Sequence, residues 1–119
     1  NIAILSIGAI GNEVIEALDI LEQENIQVAH YDMQTIKPLD EKLLTSIFSQ
    51  HSNIITIEDG VISGGFGSAI LEFKNQHNLV PSIKIMGLPD KFIEHGSQKE
   101  LHQELGLDSK GIIRTIKNI

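Results

Sequence analysis

The sequence predicts an α/β domain, in which helices cover both faces of a three-layer, open, twisted and mostly parallel sheet. Four short aliphatic runs alternate with stretches whose apolar residues recur at helical spacing. The runs are nearly continuous in apolar residues, which is typical of strands buried on both faces. The length of 119 residues corresponds to one domain, and a hydrophobic share of 41% is enough for a core. Alternating strands and helices imply right-handed crossovers between parallel strands.

The first part of the chain is expected to form two strands with a helix between them. The first strand covers residues 2–7, and Gly8 and Gly11 bracket the turn that follows. The helix extends to about residue 24, because its apolar residues recur at intervals of three and four. The residues expected on its core face are Val14, Leu18 and Leu21, with Ile15 and Ala17 beside them. The second strand is expected over residues 26–33.

A second helix is expected after Asp40. Pro38 disfavours helical backbone at Lys37, and the Asp40 carboxylate can cap the helix that follows. The residues expected to be buried along this helix are Leu43, Leu44, Ile47 and Phe48.

A third strand, residues 53–59, ends in two carboxylates and continues into a glycine-rich loop, residues 60–68. A helix to about residue 75 and a fourth strand over residues 82–87 follow. A further edge strand could lie near Phe92 and Ile93, within the long connection after the fourth strand.

Two more helices are expected near the end of the chain. Ser97 and Glu100 form a capping-box pattern that begins the first of them, and Gly106 ends it. Asp108 or Ser109 caps the second, which is expected to bury Ile112, Ile113 and Ile116.

Charge and composition exclude several classes of function. The net charge is −7 and Arg114 is the only arginine, so no cluster of cations is present to bind nucleic acid or an anionic membrane surface. The absence of cysteine excludes disulfides and thiolate chemistry, and fits a reducing, cytoplasmic location. No apolar run approaches the roughly 20 residues of a membrane-spanning helix. Because Asn1 leads directly into an apolar strand, we expect a single domain, residues 1–119, that is part of a longer chain.

The glycine-rich loop is the strongest local motif. It could hold an anion on backbone amides at the start of a helix, or it could be a tight turn packed closely against its neighbours. No Lys-Ser/Thr pair follows the last glycine, and the spacing does not match a dinucleotide-binding fingerprint. The structural interpretation is therefore favoured. The residues of this possible anion-binding or structural loop are Glu58, Gly64, Gly65, Gly67 and Ser68.

Glu58 and Asp59 stand at the carboxyl end of a predicted strand, where open α/β sheets bind their ligands. Paired carboxylates can perform acid–base chemistry or bind Mg²⁺, or one of them can cap the amides of the glycine loop. Neighbouring residues on a strand point to opposite faces, and no third ligand is evident, so the cap is favoured.

The other polar residues do not form a recognisable catalytic set. The five histidines include no metal-binding pair, and no serine lies in a Gly-x-Ser-x-Gly elbow. His51 and His77 are expected to be exposed, whereas His30 lies within a strand. The irregular segment after the fourth strand combines His95, Gly96 and Ser97 and could form a catalytic or an interfacial surface. The interface is favoured, with Asp90, Phe92, Ile93 and His95 as its residues. The residues alone therefore indicate a binding or assembly domain, with no catalytic, cofactor-binding or metal-binding residue assigned.

Four segments together resemble the C-terminal domain of transketolase-superfamily enzymes, and the resemblance covers essentially the whole chain. The segments are DMQTIKPLD at 32–40, IEDG with GGFGSA at 57–60 and 64–69, GLPDKFIEHG at 87–96, and ELGLD with GI at 104–108 and 111–112. The KPLD and glycine-loop motifs are shared widely, including by β-type subunits of 2-oxoacid dehydrogenases. The third segment is narrower and is similar to the 1-deoxy-D-xylulose-5-phosphate synthase branch.

The resemblance implies a division of labour between domains. Synthases of this branch are homodimers that join pyruvate to glyceraldehyde 3-phosphate with release of CO₂, for isoprenoid precursor synthesis. They use thiamine diphosphate and Mg²⁺, which bind between their first two domains. The third domain, which this chain resembles, supports the dimer and packs against the others. The resemblance therefore implies no cofactor in this chain, and partners in the N-terminal catalytic domains and a second protomer.

One departure from the synthase pattern keeps alternatives open. Gln34 and Thr35 stand where synthases typically have Arg and Phe. A domain of a transketolase or of a β-type dehydrogenase subunit, and a stand-alone anion- or nucleotide-binding regulatory module, are the alternatives.

Overall fold

Four parallel strands form one sheet in the computed structural model, which describes residues 1–33, 39–61, 65–88 and 106–119. The strands are β1 Ile2–Ile7, β2 Ala29–Met33, β3 Asn53–Val61 and β4 Ser82–Leu88. The helices in the described ranges are α1 Gly11–Gln23, α2 Glu41–Gln50, α3 Phe66–Gln76 and α4 Ser109–Lys117. The strands lie in the order β2-β1-β3-β4, and each adjacent pair is parallel.

A separate aliphatic core lies on each face of the sheet. α1 and α4 cover one face, and the core beneath them includes Ile4, Ile55, Val14, Leu21 and Ile112. α2 and α3 cover the other face, and the core there includes Leu5, Ile54, Leu44, Phe66 and Ile70. Alternate strand residues point to opposite faces, which is why neighbours such as Ile54 and Ile55 belong to different cores. The predicted three-layer α/β architecture with helices on both faces is confirmed.

The two predicted carboxylate caps are present. Asp40 accepts a hydrogen bond from the Leu43 amide at 3.1 Å, at the start of α2. Asp108 accepts one from the Gly111 amide at 2.9 Å, at the start of α4. Each cap satisfies an amide that has no partner within the helix.

Two polar contacts join α4 to α1 at either end. Glu13 of α1 accepts a hydrogen bond from the Ser109 amide at 3.0 Å, which places a second carboxylate at the N-terminus of α4. At the other end, Lys117 lies 2.9 Å from Glu24. These contacts set how α4 lies across the sheet.

The strand boundaries differ from the predicted ones. β2 begins at Ala29, three residues later than expected, because its pairing with β1 starts where Ala29 meets Ala3. The apolar residues before it, Ile26 and Val28, pack against the core under α1 instead of pairing with a strand. β3 extends two residues past Asp59, with an irregular register against β4.

Four helix positions are less buried than predicted, and one of them is Leu18 of α1, which packs against the core but is only partly buried. Ile15 of α1 is 53% exposed, because it lies on the flank of the stripe formed by Val14, Ala17 and Leu21. Leu43 of α2 and Ile113 of α4 pack at the edges of the cores and are only partly buried. The remaining predicted core positions of α2 and α4 are buried.

Several predicted features lie outside the described residues. These are the edge strand near Phe92 and Ile93, the helix expected to begin at Ser97, Gly64 of the glycine loop, and the interface residues Asp90 and His95.

Candidate functional site

The loops after β1 and β3 mark the switch point of the sheet. β1 and β3 are neighbours, but α1 leaves β1 on one face while α3 leaves β3 on the other. Such a divergence opens a crevice at the carboxyl ends of the strands, where α/β domains bind ligands. The candidate site is therefore the end of β3 with the glycine loop and the N-terminus of α3.

Glu58 occupies the centre of this site. Its carboxylate is buried, with only 4% of the residue exposed. One oxygen, Oε2, accepts a hydrogen bond from the Phe66 amide at 2.9 Å, and the other, Oε1, accepts one from the Gly67 amide at 3.2 Å. These are amides of the first turn of α3, so the carboxylate caps the helix from the neighbouring strand.

The cap changes what the glycine loop can do. A phosphate bound at this helix N-terminus would need the amides that Glu58 already engages, and it would meet the negative charge of the carboxylate. A carboxylate that caps the amides of the loop was expected in preference to acid–base or metal chemistry, and Glu58 makes such hydrogen bonds. The arrangement supports a structural loop.

Gly67 lets α3 approach the sheet. A Cβ atom at this position would lie 2.5 Å from Cγ2 of Ile85 on β4 and 2.8 Å from Oγ1 of Thr56 on β3. Both distances are shorter than any relaxed contact between such atoms, so only glycine fits without a shift of its neighbours. The glycine thus brings the first turn of α3 within reach of Glu58.

The other residues of the loop have supporting positions. Gly65 is the N-cap residue of α3 and has an extended backbone. Ser68 and Asp59 are half-buried, and each has an interaction within the fold. Gly64 is outside the described residues.

Sequence reasoning did not find the Ser6–His30 pair, which lies on the opposite face of the sheet. Ser6 of β1 is fully buried, and its Oγ lies 2.7 Å from Nε2 of the half-buried His30 on β2. Gly11, at the start of α1, leaves room for both side chains, since a Cβ there would be 3.2 Å from the Ser6 oxygen. Ser6 and His30 could each be recognised as a polar residue within a predicted strand. Their pairing could not, because it depends on the register of β1 against β2, and the two residues lie 24 positions apart in the sequence.

The environment of His30 favours the neutral imidazole. Burial lowers the pKa of His30 below 6.5, and the negative charge of Asp32 opposes this shift. A serine nucleophile must reach its substrate, whereas Ser6 has no exposed surface. The pair therefore fastens β2 to β1 and is not a catalytic dyad.

The expected exposure of the other two described histidines is right for one and wrong for the other. His77 is exposed, and its ring packs 4.4 Å from that of Phe73. His51 is half-buried, because the end of α2 brings it against Tyr31, whose hydroxyl lies 3.2 Å from His51 Nε2.

Within the four described ranges, no group of three or more His, Asp or Glu residues is placed to hold a metal ion. Two clefts lie away from the glycine loop. One, of about 470 Å³, lies beside the start of β1 and β2, and another, of about 350 Å³, lies between β4 and α4. No helix in the described part of the chain is long and apolar enough to cross a membrane.

The fold and the site define a parallel α/β domain with helices on both faces of its sheet. The carboxylate of Glu58 caps the helix that follows the glycine-rich loop. The chain belongs to the family of transketolase C-terminal domains, whose model matches residues 1–112. The resemblance seen in the sequence is confirmed.

Curated relatives place the chain near one branch of that family. It is 52% identical over 98% of its length to 1-deoxy-D-xylulose-5-phosphate synthase of Parabacteroides distasonis, and 49% identical over its whole length to the synthase of Cytophaga hutchinsonii. The chain spans only 18% and 19% of these two relatives.

Solved structures agree with the fold. A split-gene transketolase described as an inactive β4 tetramer matches 99% of this chain and 38% of its own, with a TM-score of 0.87 and 26% identity. Transketolase from Campylobacter jejuni matches 99% of this chain and 17% of its own, with a TM-score of 0.70. At 15% identity, the second match shows the fold alone.

Proposed function

We propose that the chain is the C-terminal assembly domain of a thiamine-diphosphate-dependent transferase, a 1-deoxy-D-xylulose-5-phosphate synthase that condenses pyruvate with glyceraldehyde 3-phosphate. The observation that carries this proposal is the 52% identity to a synthase over 98% of the chain. The proposed domain boundary is the whole chain, residues 1–119. We include a cytoplasmic location, because a chain without cysteine suits a reducing compartment.

The glycine loop and the described acidic and histidine side chains do not fit thiamine diphosphate and Mg²⁺. A diphosphate needs several free donors, but the amides at the start of α3 are engaged by Glu58. A magnesium site needs oxygen ligands gathered at one point, and no described group of three acidic or histidine side chains provides it. We therefore assign the cofactor and the metal to residues outside this chain.

The role proposed for this chain is to assemble and orient the catalytic domains. Glu58 joins the end of β3 to the start of α3, and Ser6 with His30 joins β2 to β1, so these elements keep a fixed arrangement. The proposed partners are the other domains of the enzyme and a second protomer in a homodimer. The similar split-gene transketolase chain is described as an inactive tetramer, which supports assembly without activity. Asp90, Phe92, Ile93 and His95 remain the proposed interface.

A chimera tests this proposal. The C-terminal 18% of the Parabacteroides distasonis synthase is replaced by this chain, and synthase turnover is measured with pyruvate and glyceraldehyde 3-phosphate. We expect turnover within about tenfold of the parent enzyme, which corresponds to about 1.4 kcal/mol in the barrier. The matched control carries the corresponding domain of the Campylobacter jejuni transketolase, which has the same fold at 15% identity to this chain, and should be inactive.

Two results would contradict the proposal. One is a folded, dimeric chimera that is as inactive as the transketolase control. The other is micromolar binding of thiamine diphosphate to the isolated 119-residue chain in calorimetry that depends on Mg²⁺ and is not shared by inorganic pyrophosphate.

The alternative functions are less well supported. A regulatory module that binds an anion or nucleotide on the glycine loop would have to displace Glu58 from both amides. A domain of a transketolase or a β-type dehydrogenase subunit shares the fold, but the synthases are the relatives at 49–52% identity.

A further inference from the structure

The cleft between β4 and α4 has an unusual charge for this chain. Its volume is about 350 Å³, near the lower end of the range for small-molecule sites. Lys84 and Met86 of β4 form its floor, Gly106 lies at one end, and Arg114, Thr115 and Asn118 of α4 form its wall. No carboxylate of the described residues lines it, although the chain has 16 acidic residues against nine lysines and arginines.

The two cations of this cleft are Lys84 and Arg114. In the parts of the chain that the structure describes, neither cation lies within 4.0 Å of a carboxylate, whereas Lys117 on the same helix pairs with Glu24 at 2.9 Å. Asp108 is the carboxylate next to the cleft along the chain, and its Oδ1 is already bonded to the Gly111 amide. The cleft is thus a local positive region in a protein of net charge −7.

The geometry favours an anion at the Gly106 end. A guanidinium nitrogen of Arg114 lies 3.8 Å from where a Cβ of Gly106 would be, so the guanidinium group is beside Gly106. Asn118 is at the C-terminal end of α4, where the helix dipole repels negative charge. The Thr115 hydroxyl is engaged with the Gly111 carbonyl at 2.9 Å, which leaves Arg114 and Lys84 as the principal donors.

We propose that this cleft binds a small phosphate-bearing anion, with the Arg114 guanidinium and the Lys84 ammonium as its ligands. A planar guanidinium offers two parallel donors to a phosphate, and an ammonium adds a point charge from the other side. The site is independent of the glycine loop, on which no anion is proposed. It is also independent of the function proposed for the whole enzyme.

Titration of the 119-residue chain with inorganic phosphate and with pyrophosphate, followed by calorimetry and amide NMR shifts, tests the site. Arg114→Gln and Lys84→Gln should each weaken binding about tenfold or more, as expected when one charge-assisted hydrogen bond is lost. Lys110→Gln is the matched control, because Lys110 is exposed on α4 and does not line the cleft. It removes the same charge and should change affinity by less than about twofold. Arg114→Lys, which keeps the charge, should retain part of the affinity.

Three results would overturn the proposal. The first is titration without saturation. The second is equal weakening by all three glutamine variants, which would mean attraction by overall charge alone. The third is shifted amides that lie elsewhere than around the cleft. Thermal unfolding in phosphate-free buffer separates a lost ligand site from a lost fold.

Discussion

The Phe66 amide donates a hydrogen bond of 2.9 Å to the buried carboxylate of Glu58, eight residues earlier in the chain. This bond joins the end of a central strand to the start of the helix that crosses back over the sheet. A second bond, from Gly67 at 3.2 Å, makes the cap bidentate. The end of β3 and the start of α3 are therefore joined, which agrees with a structural role for Gly67.

Removing the Glu58 cap should cost stability. Glu58→Leu leaves two amides without an acceptor and removes a negative charge from a helix N-terminus, so we expect a loss of about 3 kcal/mol. Glu58→Gln keeps one acceptor oxygen and should lose about half as much. Urea unfolding followed by circular dichroism measures both. Glu72→Gln, on the exposed side of α3, is the control and should stay within about 0.5 kcal/mol of the parent. A Leu variant as stable as this control would contradict the capping role.

The role of Glu58 could be anticipated because all the necessary residues are close in sequence. A carboxylate at a strand end, followed by a glycine-rich turn and a helix, already places acceptor and amides together. The parallel sheet was predictable for a similar reason, since a nearly continuous apolar run indicates by itself a strand that is buried on both faces. Interactions within one β–loop–α unit leave a local pattern.

The features that sequence reasoning missed depend on contacts between distant segments. Ile4 of β1 lies opposite His30 of β2, and Ser6 follows two residues later on the same face of the sheet. This register places Ser6 within hydrogen-bond distance of His30. Ile26 and Val28 are apolar like strand residues, but they serve the core under α1. His51 is half-buried because α2 ends against Tyr31. None of these contacts leaves a pattern in the local sequence, because each one forms only when distant segments pack together.

His30 should make the stability of the domain depend on pH. Its pKa in the folded state is lowered from 6.5, chiefly by burial, so the unfolded chain takes up a proton more readily than the folded one. Stability is therefore expected to fall as the pH drops below 6.5, and this loss should stop once the pH is below the lowered pKa. Urea unfolding at a series of pH values measures the effect.

Two histidine variants isolate that contribution. His30→Gln removes the titrating group and should flatten this part of the pH profile. His77→Gln removes an exposed histidine that lies 3.6 Å from Glu41, and it should leave in place the part of the profile that is due to His30. If both variants keep the same slope between pH 5 and 7, roughly the range in which histidine titrates, His30 is not its source.

Gly67→Ala should be destabilising by about 1–3 kcal/mol, the usual cost of an added methyl group in a packed core. The new Cβ would be 2.5 Å from Ile85 and 2.8 Å from Thr56, so α3 must move away from the sheet. A double-mutant cycle with Ile85→Ala provides the control, because that change opens space on the β4 side. The alanine at position 67 should cost less in this background. Equal costs in both backgrounds would show that the contact with Ile85 does not cause the loss.

Thr56→Val should leave the domain equally stable or more stable, by up to about 1 kcal/mol. The Thr56 hydroxyl is buried and has no hydrogen-bond partner among the described residues, so valine keeps the shape of the side chain without its desolvation cost. Thr115→Val is the matched control, since the Thr115 hydroxyl donates to the Gly111 carbonyl at 2.9 Å and its removal should be neutral or destabilising. Thermal and urea unfolding of both variants measure the difference. A loss of more than about 1 kcal/mol on Thr56→Val would mean that the hydroxyl contributes a bond to the native state.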